Sequence, residues 1–341
     1  MIFLDLFSGV GGFRLALESE GHECIGFCDN DKFARASYKA ISNTEGEKEY
    51  HDIRNVSDEE WREFRGKCDL VCAGFPCQSF SIAGKRQGFL DKTRGTLFFE
   101  IARAIKQIQP RLLLLENVKG LLSQGGGRLL ELSSLPLMNW GMMSNGKYLT
   151  AKISACRKTE NACILSDILE EKADEKYFLS EKRCEKLVWK NNRIAILPHK
   201  TGKLPQRRKI VRENGLSPTL LASFAHEPQM IAIRNNSRNK PFLTAQNGDN
   251  ISLQPNARGS VRKGYSGTIT TSPDAVLDDW RIRKLTPREC WRLQSMPEWA
   301  FERAEKVCSD HQLYKQAGNG VTVNVVREIV KSLNERKDED E

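Results

Sequence analysis

The sequence predicts an α/β fold in which a parallel sheet carries helices on both faces. Over the first 120 residues or so, short apolar runs alternate with segments of helical spacing, which is typical of consecutive βαβ units. Beyond that point the alternation fades, and residues 186–280 resemble short strands separated by turns rich in Asn, Ser, Arg and Gly. Helical spacing returns at Pro287–Leu293 and at Val321–Leu333. These observations favour a parallel-sheet unit followed by a mostly β region.

The elements of the predicted sheet follow from apolar runs of strand length and apolar faces of helical period. Four runs have the composition of buried strands: Ile2–Leu4, Cys24–Cys28, Asp69–Ala73 and Leu112–Leu115. Helices are predicted over Gly12–Leu17 and Asp31–Ile41. A third helix is predicted from one apolar face, which comprises Leu97, Phe98, Ile101, Ala102 and Ile105. Pro110 ends this helix, because proline cannot continue the helical hydrogen bonds.

Composition limits the class of protein. The chain has 341 residues, 39% of them hydrophobic and 28% charged, which suits a globular protein of one large domain or two smaller ones. Its apolar runs are far shorter than the ~20 residues of a membrane span, and Met1–Asp5 lacks the features of a signal peptide. We therefore expect a cytoplasmic protein with no membrane partner. The ten cysteines form no Cys-x-x-Cys pair, so we expect reduced thiols and no metal site.

The formal net charge of +9 is concentrated in one segment. Residues 182–213 contain eleven lysines and arginines but only two glutamates, so this segment alone has a net charge of +9. A basic run of this kind is often no more than a solvated face. Because it is long and is followed by further arginines, it also makes a polyanion such as nucleic acid a candidate partner.

A glycine-rich segment follows the first predicted strand. In Asp5–Phe13, three glycines would let the backbone approach a ligand closely and leave helix N–H groups free to bind it. Asp29 follows the second strand, where an acidic residue often holds a ribose hydroxyl. The glycines alone would equally suit a tight turn with no ligand, and they do not form the full G-x-G-x-x-G pattern. Together with Asp29, they indicate a nucleoside cofactor.

Cys77 and Glu116 follow two other predicted strands. Ligands of open α/β sheets bind outside the carboxyl ends of the strands, so both side chains would face the same cleft. Taken singly, a buried structural thiol and a solvated carboxylate are the plainer interpretations. The loop stiffened by Pro76 and the pairing of a thiol with a carboxylate favour a site of chemistry instead.

Taken in order, these motifs resemble those of the DNA (cytosine-5) methyltransferases, and the match runs almost from end to end. In the first half of the chain the matching segments are Phe7–Gly11, Asp29, Asp52–Ile53, Pro76–Gln78, Arg94–Leu97 and Glu116–Val118. In the second half they are Arg283–Glu289 and Gln316–Val321. Any one of them could arise by chance, but the ordered set identifies the chain as a member of this family.

The resemblance implies a Rossmann-like, S-adenosylmethionine-dependent methyltransferase domain with an inserted, mostly β target recognition domain. The catalytic domain would comprise residues 1–185 and 295–341, and the recognition domain residues 186–294. The substrate would be double-stranded DNA, S-adenosylmethionine would donate the methyl group, and no metal would be needed. We expect a monomer, and any companion restriction endonuclease would act separately.

The resemblance also implies roles for individual residues. Cys77 would add to carbon 6 of cytosine, and Glu116 would hydrogen-bond or protonate N3. The implied cofactor contacts are Phe7, Gly9, Val10, Gly11, Asp29, Asp52, Ile53, Pro76, Leu97, Asn319 and Val321. The expected DNA contacts are Gln78, Ser79, Lys203, Arg207, Arg208 and Lys209. Since the chemistry cannot occur inside a stacked duplex, the target base would be flipped out.

One element of the family pattern is missing. No Gln-x-Arg-x-Arg segment lies between Glu116 and the basic segment, and Gln206–Arg208 is only a partial match within the presumed recognition region. Lys152 and Arg157 lie earlier on a plausible strand, so the third catalytic contact stays open. The missing motif leaves a DNA-binding relative with impaired catalysis as one alternative. A tRNA cytosine-5 methyltransferase is a second, since one branch related to this family modifies tRNA. The long basic insert and the segment Pro76–Ser81, with Ser rather than Thr after Phe80, favour the DNA enzyme over the tRNA enzyme.

Overall fold

The computed structural model describes residues 1–75, 95–116, 165–180, 183–184, 230–234, 242–253, 260–266, 273–278 and 281–340. They belong to two compact units, one combining Met1–Ile153 with Gln294–Glu341 and the other spanning Ser154–Leu293. The strands, in chain order, are β1 (Ile2–Leu6), β2 (Glu23–Cys28), β3 (Lys48–Tyr50), β4 (Leu70–Gly74), β5 (Leu112–Glu116), β6 (Met230–Arg234), β7 (Phe242–Gln246), β8 (Asn250–Ile251), β9 (Val261–Arg262), β10 (Ala275–Asp278) and β11 (Arg281–Lys284). The helices are α1 (Gly12–Glu18), α2 (Lys32–Ile41), α3 (Asp58–Arg62), α4 (Gly95–Ile108), α5 (Leu165–Ile168), α6 (Pro287–Leu293), α7 (Glu298–Ala304), α8 (Asp310–Asn319) and α9 (Val323–Asp340).

A five-stranded parallel sheet forms the centre of the first unit. Its strand order is β3-β2-β1-β4-β5, and neighbouring strands are parallel throughout. From the central strand β1 the chain winds first toward β3 and then, through β4, toward β5. The loops after β1 and β4 therefore border the switch point at which α/β sheets bind ligands. The predicted parallel-sheet class is confirmed.

The apolar runs predicted β1, β2, β4 and β5, whereas β3 and α3 were not predicted. β3 contains Lys48 and Glu49, so it shows no apolar run, and it pairs only at the edge of the sheet beside β2. α3 is a short helix that begins with a capping box, in which Ser57 and Glu60 exchange side-chain and backbone hydrogen bonds. Its buried contact with the core comes mainly from a single residue, Trp61, too little to produce a helical period.

An apolar cluster packs α3 and α4 against β1 and β4. The fully buried ring of Trp61 lies at its centre, with ring centroids 5.3 Å from Tyr50 and 6.2 Å from Phe64. Phe7 and Leu97, both half-buried, pack against this cluster at the carboxyl ends of the strands. Burial of each large apolar side chain stabilises the fold by about 1.5–3 kcal/mol. The sheet edge that carries the candidate site is thus supported by packed core.

The second unit is built from antiparallel strands. β6 pairs with β7, and a second sheet has the order β11-β10-β8-β9. Its apolar core comprises Ile233, Ala245, Ile251, Ala275, Leu277 and Ile282. A mostly β region separate from the parallel sheet was predicted, and this architecture confirms it.

A buried ion pair lies in the segment Arg283–Glu289, which the motif comparison singled out. Both side chains are fully buried, and the two guanidinium Nη atoms of Arg283 each donate to one carboxylate oxygen of Glu289 at 2.8 Å. The backbone N–H of Thr286 also donates to Glu289, at 2.7 Å, which caps α6. A forked pair of this kind fixes geometry, and removing one partner alone would leave a buried charge unpaired. Within the described residues this segment therefore supports the fold.

The two units divide at 153/154, whereas the predicted domains divide at 185/186. Residues 165–184 group with the antiparallel unit, because the backbone N–H of Leu179 donates to the carbonyl of Ile282 and that of Glu170 donates to the Glu289 carboxylate. At the other boundary the units change at Leu293/Gln294, one residue from the predicted position. The functional division into catalytic and recognition domains stays a prediction.

Candidate active site

The carboxyl ends of the five parallel strands bring the candidate residues to one edge of the sheet. β1 is followed by Phe7, β2 by Asp29 and β4 by Phe75, while β5 ends at Glu116. Asp52 lies two residues beyond β3. Positions that are far apart in sequence therefore line a common edge, as the alternation of strands and helices predicted.

The loop between β1 and α1 has an unusual backbone. Phe7, Gly9 and Gly11 have φ angles of 55°, 55° and 90°, all in the left-handed region. A side chain at Gly11 would also be crowded, because a Cβ there would lie 3.2 Å from the ring of Tyr38. A left-handed phenylalanine is strained and persists only where its surroundings fix it, which is common at ligand sites. The left-handed φ angles and the crowding at Gly11 therefore restrict this loop to one backbone conformation.

Asp29 fixes this loop from the end of β2. Its Oδ2 accepts the backbone N–H of Gly9 and its Oδ1 that of Asp31, each at 2.8 Å. Burial raises the pKa of the Asp29 carboxyl, and the two N–H donors partly oppose that rise. Each carboxylate oxygen has a second lone pair, so Asp29 retains the capacity to accept hydrogen bonds from a diol such as ribose.

The neighbouring residues Asp52 and Ile53 differ in exposure. Ile53 is buried in the apolar cluster, whereas Asp52 accepts hydrogen bonds from the backbone N–H of Arg54 at 3.0 Å and from its guanidinium at 2.6–3.2 Å. The Arg54 side chain holds the pKa of Asp52 below its usual value. Asp52 is therefore a charged, partly exposed hydrogen-bond acceptor, and its neighbour Ile53 belongs to the buried apolar cluster.

Glu116 is the last residue of β5 and lies beside the end of β4. β4 and β5 pair so that Gly74 is opposite Glu116. A Cβ at Gly74 would lie 3.5 Å from Oε2 of Glu116, 3.5 Å from the ring of Phe13 and 4.0 Å from Cγ1 of Val321. Burial raises the pKa of the Glu116 carboxyl. A carboxyl with a raised pKa is able to carry a proton closer to neutral pH than an exposed glutamate.

The closing segment returns to the glycine loop. Val321 lies against α1, because a Cβ at Gly12 would be 2.7 Å from Cγ2 of Val321. Asn319 is exposed and is the last residue of α8, and Gly320 is the C-terminal cap of that helix. Gly318 and Asn319 are both helical in the structure. Of the two predicted contacts, Val321 lies close to the glycine-rich segment, at Gly12.

Several predicted site residues lie outside the described part of the chain. They are Pro76, Cys77, Gln78, Ser79, Lys203, Arg207, Arg208 and Lys209. The described residues bring together Gly9, Val10, Gly11, Asp29, Glu116 and Val321 at one edge. The motifs did not single out Phe13 as a contact, although it borders Gly74 and Glu116. Its position in the first turn of α1, directly after the glycines, is the only signal that could have suggested it.

Nearly the whole chain also matches a known family. Residues 1–141 and 140–335 match the family described as C-5 cytosine-specific DNA methylase. The chain belongs to this family. Membership makes it a DNA cytosine methyltransferase, and it implies S-adenosylmethionine as the methyl donor and DNA as the substrate. The family and activity predicted from the motifs are confirmed.

Individual relatives of this methyltransferase are similar over nearly their whole length. An orphan methyltransferase of Bacillus phage SPR, M.SPRI, is 30% identical, with 97% of this chain and 96% of the relative covered. The type II methyltransferase M.HhaI of Haemophilus parahaemolyticus is 31% identical, with 97% and 93% covered. Among solved structures, S. pombe Dnmt2 has a TM-score of 0.58 at 17% identity, with 98% and 99% covered. That last similarity shows the fold alone.

The described residues of the methyltransferase contain no group of three or more His, Cys, Asp or Glu side chains arranged to hold a metal ion. Among the same residues, no helix is both long enough and apolar enough to cross a membrane.

Proposed function

We propose that this methyltransferase acts on one cytosine within a specific sequence of duplex DNA, using Cys77 as nucleophile and Glu116 as the acid that assists it. The observation that carries the proposal is the position of Glu116. The Glu116 carboxyl lies beside Gly74, the last residue of β4, and Gly74 precedes Cys77 by three residues in the sequence. Burial raises the pKa of this carboxyl. A thiol and a carboxyl whose pKa is raised are the pair that addition to cytosine needs.

The described residues fit a nucleoside-containing methyl donor. At Gly9 the position that a Cβ would take has nothing within 4 Å, so the left-handed loop leaves open space beside its backbone. Asp29 would hold the ribose hydroxyls, while Asp52 and Ile53 would flank the adenine. S-adenosylmethionine, when bound, supplies the methyl group that carbon 5 of cytosine takes. The remaining cofactor contacts we propose are Phe7, Val10, Gly11, Pro76, Leu97, Asn319 and Val321.

The chain's own residues make the cytosine reactive. Addition of the Cys77 thiolate to carbon 6 would place electron density on carbon 5, and Glu116 would hold a proton at N3 to balance the developing charge. Once carbon 5 carries the methyl group, it would lose its proton to water, and the electron pair of that C–H bond would re-form the bond between carbons 5 and 6 and expel Cys77 as thiolate, while N3 returns its proton to Glu116. The family's third catalytic contact, an arginine, has no assigned equivalent in this chain.

The basic segment 182–213 supports duplex DNA as the partner. Lys203, Arg207, Arg208 and Lys209 would contact phosphates, and Gln78 and Ser79 would lie beside the flipped base. Binding that rests on such contacts weakens steeply as salt rises. We place the enzyme with DNA in the bacterial cytoplasm, as a monomer that needs no companion endonuclease for its own activity.

A methyl-transfer assay with labelled donor tests this function. We expect label in duplex DNA and none in tRNA, and no transfer by Cys77→Ser. Label confined to tRNA would replace the proposal with RNA methylation, and no transfer by the wild type would indicate a silent DNA-binding relative. Bisulfite sequencing of DNA from an expressing host would then give the recognised sequence.

A further inference from the structure

Gln294 is a buried glutamine whose amide is committed to one turn. Its side chain is 6% exposed. Nε2 donates to the carbonyl of Ala317 at 2.8 Å and to that of Gly320 at 3.1 Å. Oε1 accepts the hydroxyl of Thr322 at 2.7 Å. Of the four hydrogen bonds that an amide side chain is able to form, Gln294 therefore makes three with residues 317–322, the segment that contains Val321.

The backbone of Gln294 holds the same turn. Its carbonyl accepts the N–H of Val323 at 2.9 Å, at the first residue of α9. Gln294 thus joins the end of α8 to the start of α9 by four hydrogen bonds, two on each side of Val321. The side-chain amide thus satisfies carbonyl groups at the end of α8 that would otherwise need a capping residue or water.

The position of this turn is narrowly constrained on its other side. Gly12 faces Val321 so closely that a Cβ would lie 2.7 Å from Cγ2 and 3.1 Å from the carbonyl oxygen of Val321. Val321 is also within 4.0 Å of a Cβ built at Gly74, next to Glu116. A shift of the turn by a few tenths of an ångström would either crowd α1 or open the space in front of both glycines.

We infer that Gln294 is a positioning residue for the methyl donor, and that it acts by holding Val321 against the glycine loop. The inference rests on the proposed function, in which Val321 lines the cofactor pocket. Gln294 itself touches no reacting group. Its loss would therefore weaken S-adenosylmethionine binding while sparing the methyl-transfer step.

Gln294→Met tests the inference, since it keeps the length of the side chain and removes the amide. Calorimetric titration of the purified protein with S-adenosylmethionine should show a Kd about tenfold higher than wild type, which is the loss of roughly one net hydrogen bond. KM for S-adenosylmethionine should rise in parallel, with kcat at saturation within threefold. Gln107→Met is the control, because Gln107 is also buried and its amide also forms hydrogen bonds, one with Arg62 and one with Asp58.

A second pair of variants guards against misfolding of Gln294→Met. Thr322→Val removes the hydroxyl that Gln294 accepts, whereas Thr322→Ser keeps it. We expect a weaker Kd for Thr322→Val and a Kd restored to within twofold of wild type for Thr322→Ser.

The outcomes separate the inference from the function on which it rests. If the wild type binds S-adenosylmethionine and methylates DNA, but Gln294→Met and Thr322→Val bind it as tightly, the inference falls alone. Equal weakening by the Gln107→Met control would also overturn it, because the effect would then be one of general stability. A wild type that binds no S-adenosylmethionine would overturn both.

Discussion

The two halves of the strand edge are built differently. On the side of β2 and β3, carboxylates accept hydrogen bonds from nearby groups: Asp29 from the N–H groups of Gly9 and Asp31, and Asp52 from Arg54. On the side of β4 and β5, burial alone raises the pKa of Glu116. Burial also raises the pKa of Asp29, but there two backbone N–H donors oppose the rise, whereas at Glu116 burial is the cause of the shift. In the proposed function, Asp29 would serve binding and Glu116 the chemistry, and the variants below test that division.

The largest effect that would sharpen this contrast is expected from Glu116→Ala. Loss of the group that balances charge at N3 should lower kcat about 10²–10³-fold, the usual consequence of removing such a donor. The Kd for S-adenosylmethionine should stay within twofold of wild type. Single-turnover methylation together with titration of the donor measures both. Glu116→Gln, which still donates a hydrogen bond, should lose less, and a Kd change as large as the kcat change would erase the contrast.

Asp29→Ala should have the opposite profile. Two backbone N–H groups lose a charged acceptor and the ribose loses its partner, so KM for S-adenosylmethionine should rise about 10–100-fold. At saturating donor, kcat should stay within threefold of wild type. Asp29→Asn, which keeps one acceptor oxygen, should lie between the two. Steady-state kinetics with varied donor would reveal a kcat defect, which is the result that contradicts the assignment.

Two glycines provide a steric comparison between the halves. Gly12→Ala should lower the free energy of unfolding by about 1–3 kcal/mol, because its Cβ would overlap Val321. Gly74→Ala should change it by less than about 1 kcal/mol, because its Cβ would make only ordinary contacts at 3.5–4.0 Å. Urea unfolding of both variants measures the difference. A double variant that combines Gly12→Ala with Val321→Ala should recover part of the lost unfolding free energy. Equal losses for Gly12→Ala and Gly74→Ala would contradict the close contact between Gly12 and Val321.

The smallest expected effect is a pH dependence of stability. The folded pKa of Glu116 is raised, so between the unfolded value of about 4.3 and the folded value the native state binds more protons than the unfolded chain. The stabilisation is therefore complete below about pH 4 and is lost as pH rises through the folded pKa. Glu116→Gln should flatten that part of the profile. Urea unfolding across pH 4–8 checks this, and an unchanged slope would show that Glu116 is not the group concerned.

Residues that carry local patterns predicted much of this structure. The apolar runs of β1, β2, β4 and β5 need only strand length and hydrophobicity, and Asp29 and Glu116 follow from their places at strand ends. β3 was not predicted, because an edge strand that contains Lys48 and Glu49 shows no apolar pattern. The helical conformation of Gly318 and Asn319 could not be predicted from their residue types, because the distant Gln294 holds the end of α8 through its carbonyl groups. The contact of Gly12 with Val321 joins distant parts of the chain, and no local pattern encodes it.

That long-range contact has a consequence for the timing of synthesis. Gly12 leaves the ribosome about 300 residues before Val321, an interval of roughly 15–60 s at bacterial rates of elongation. During that interval the glycine loop and Asp29 are already translated, but α1 lacks the surface that α9 and Val321 later supply. A nascent chain of this length would therefore hold the glycine loop and Asp29 without the packing of α9 on α1 and without the contact of Val321 at Gly12.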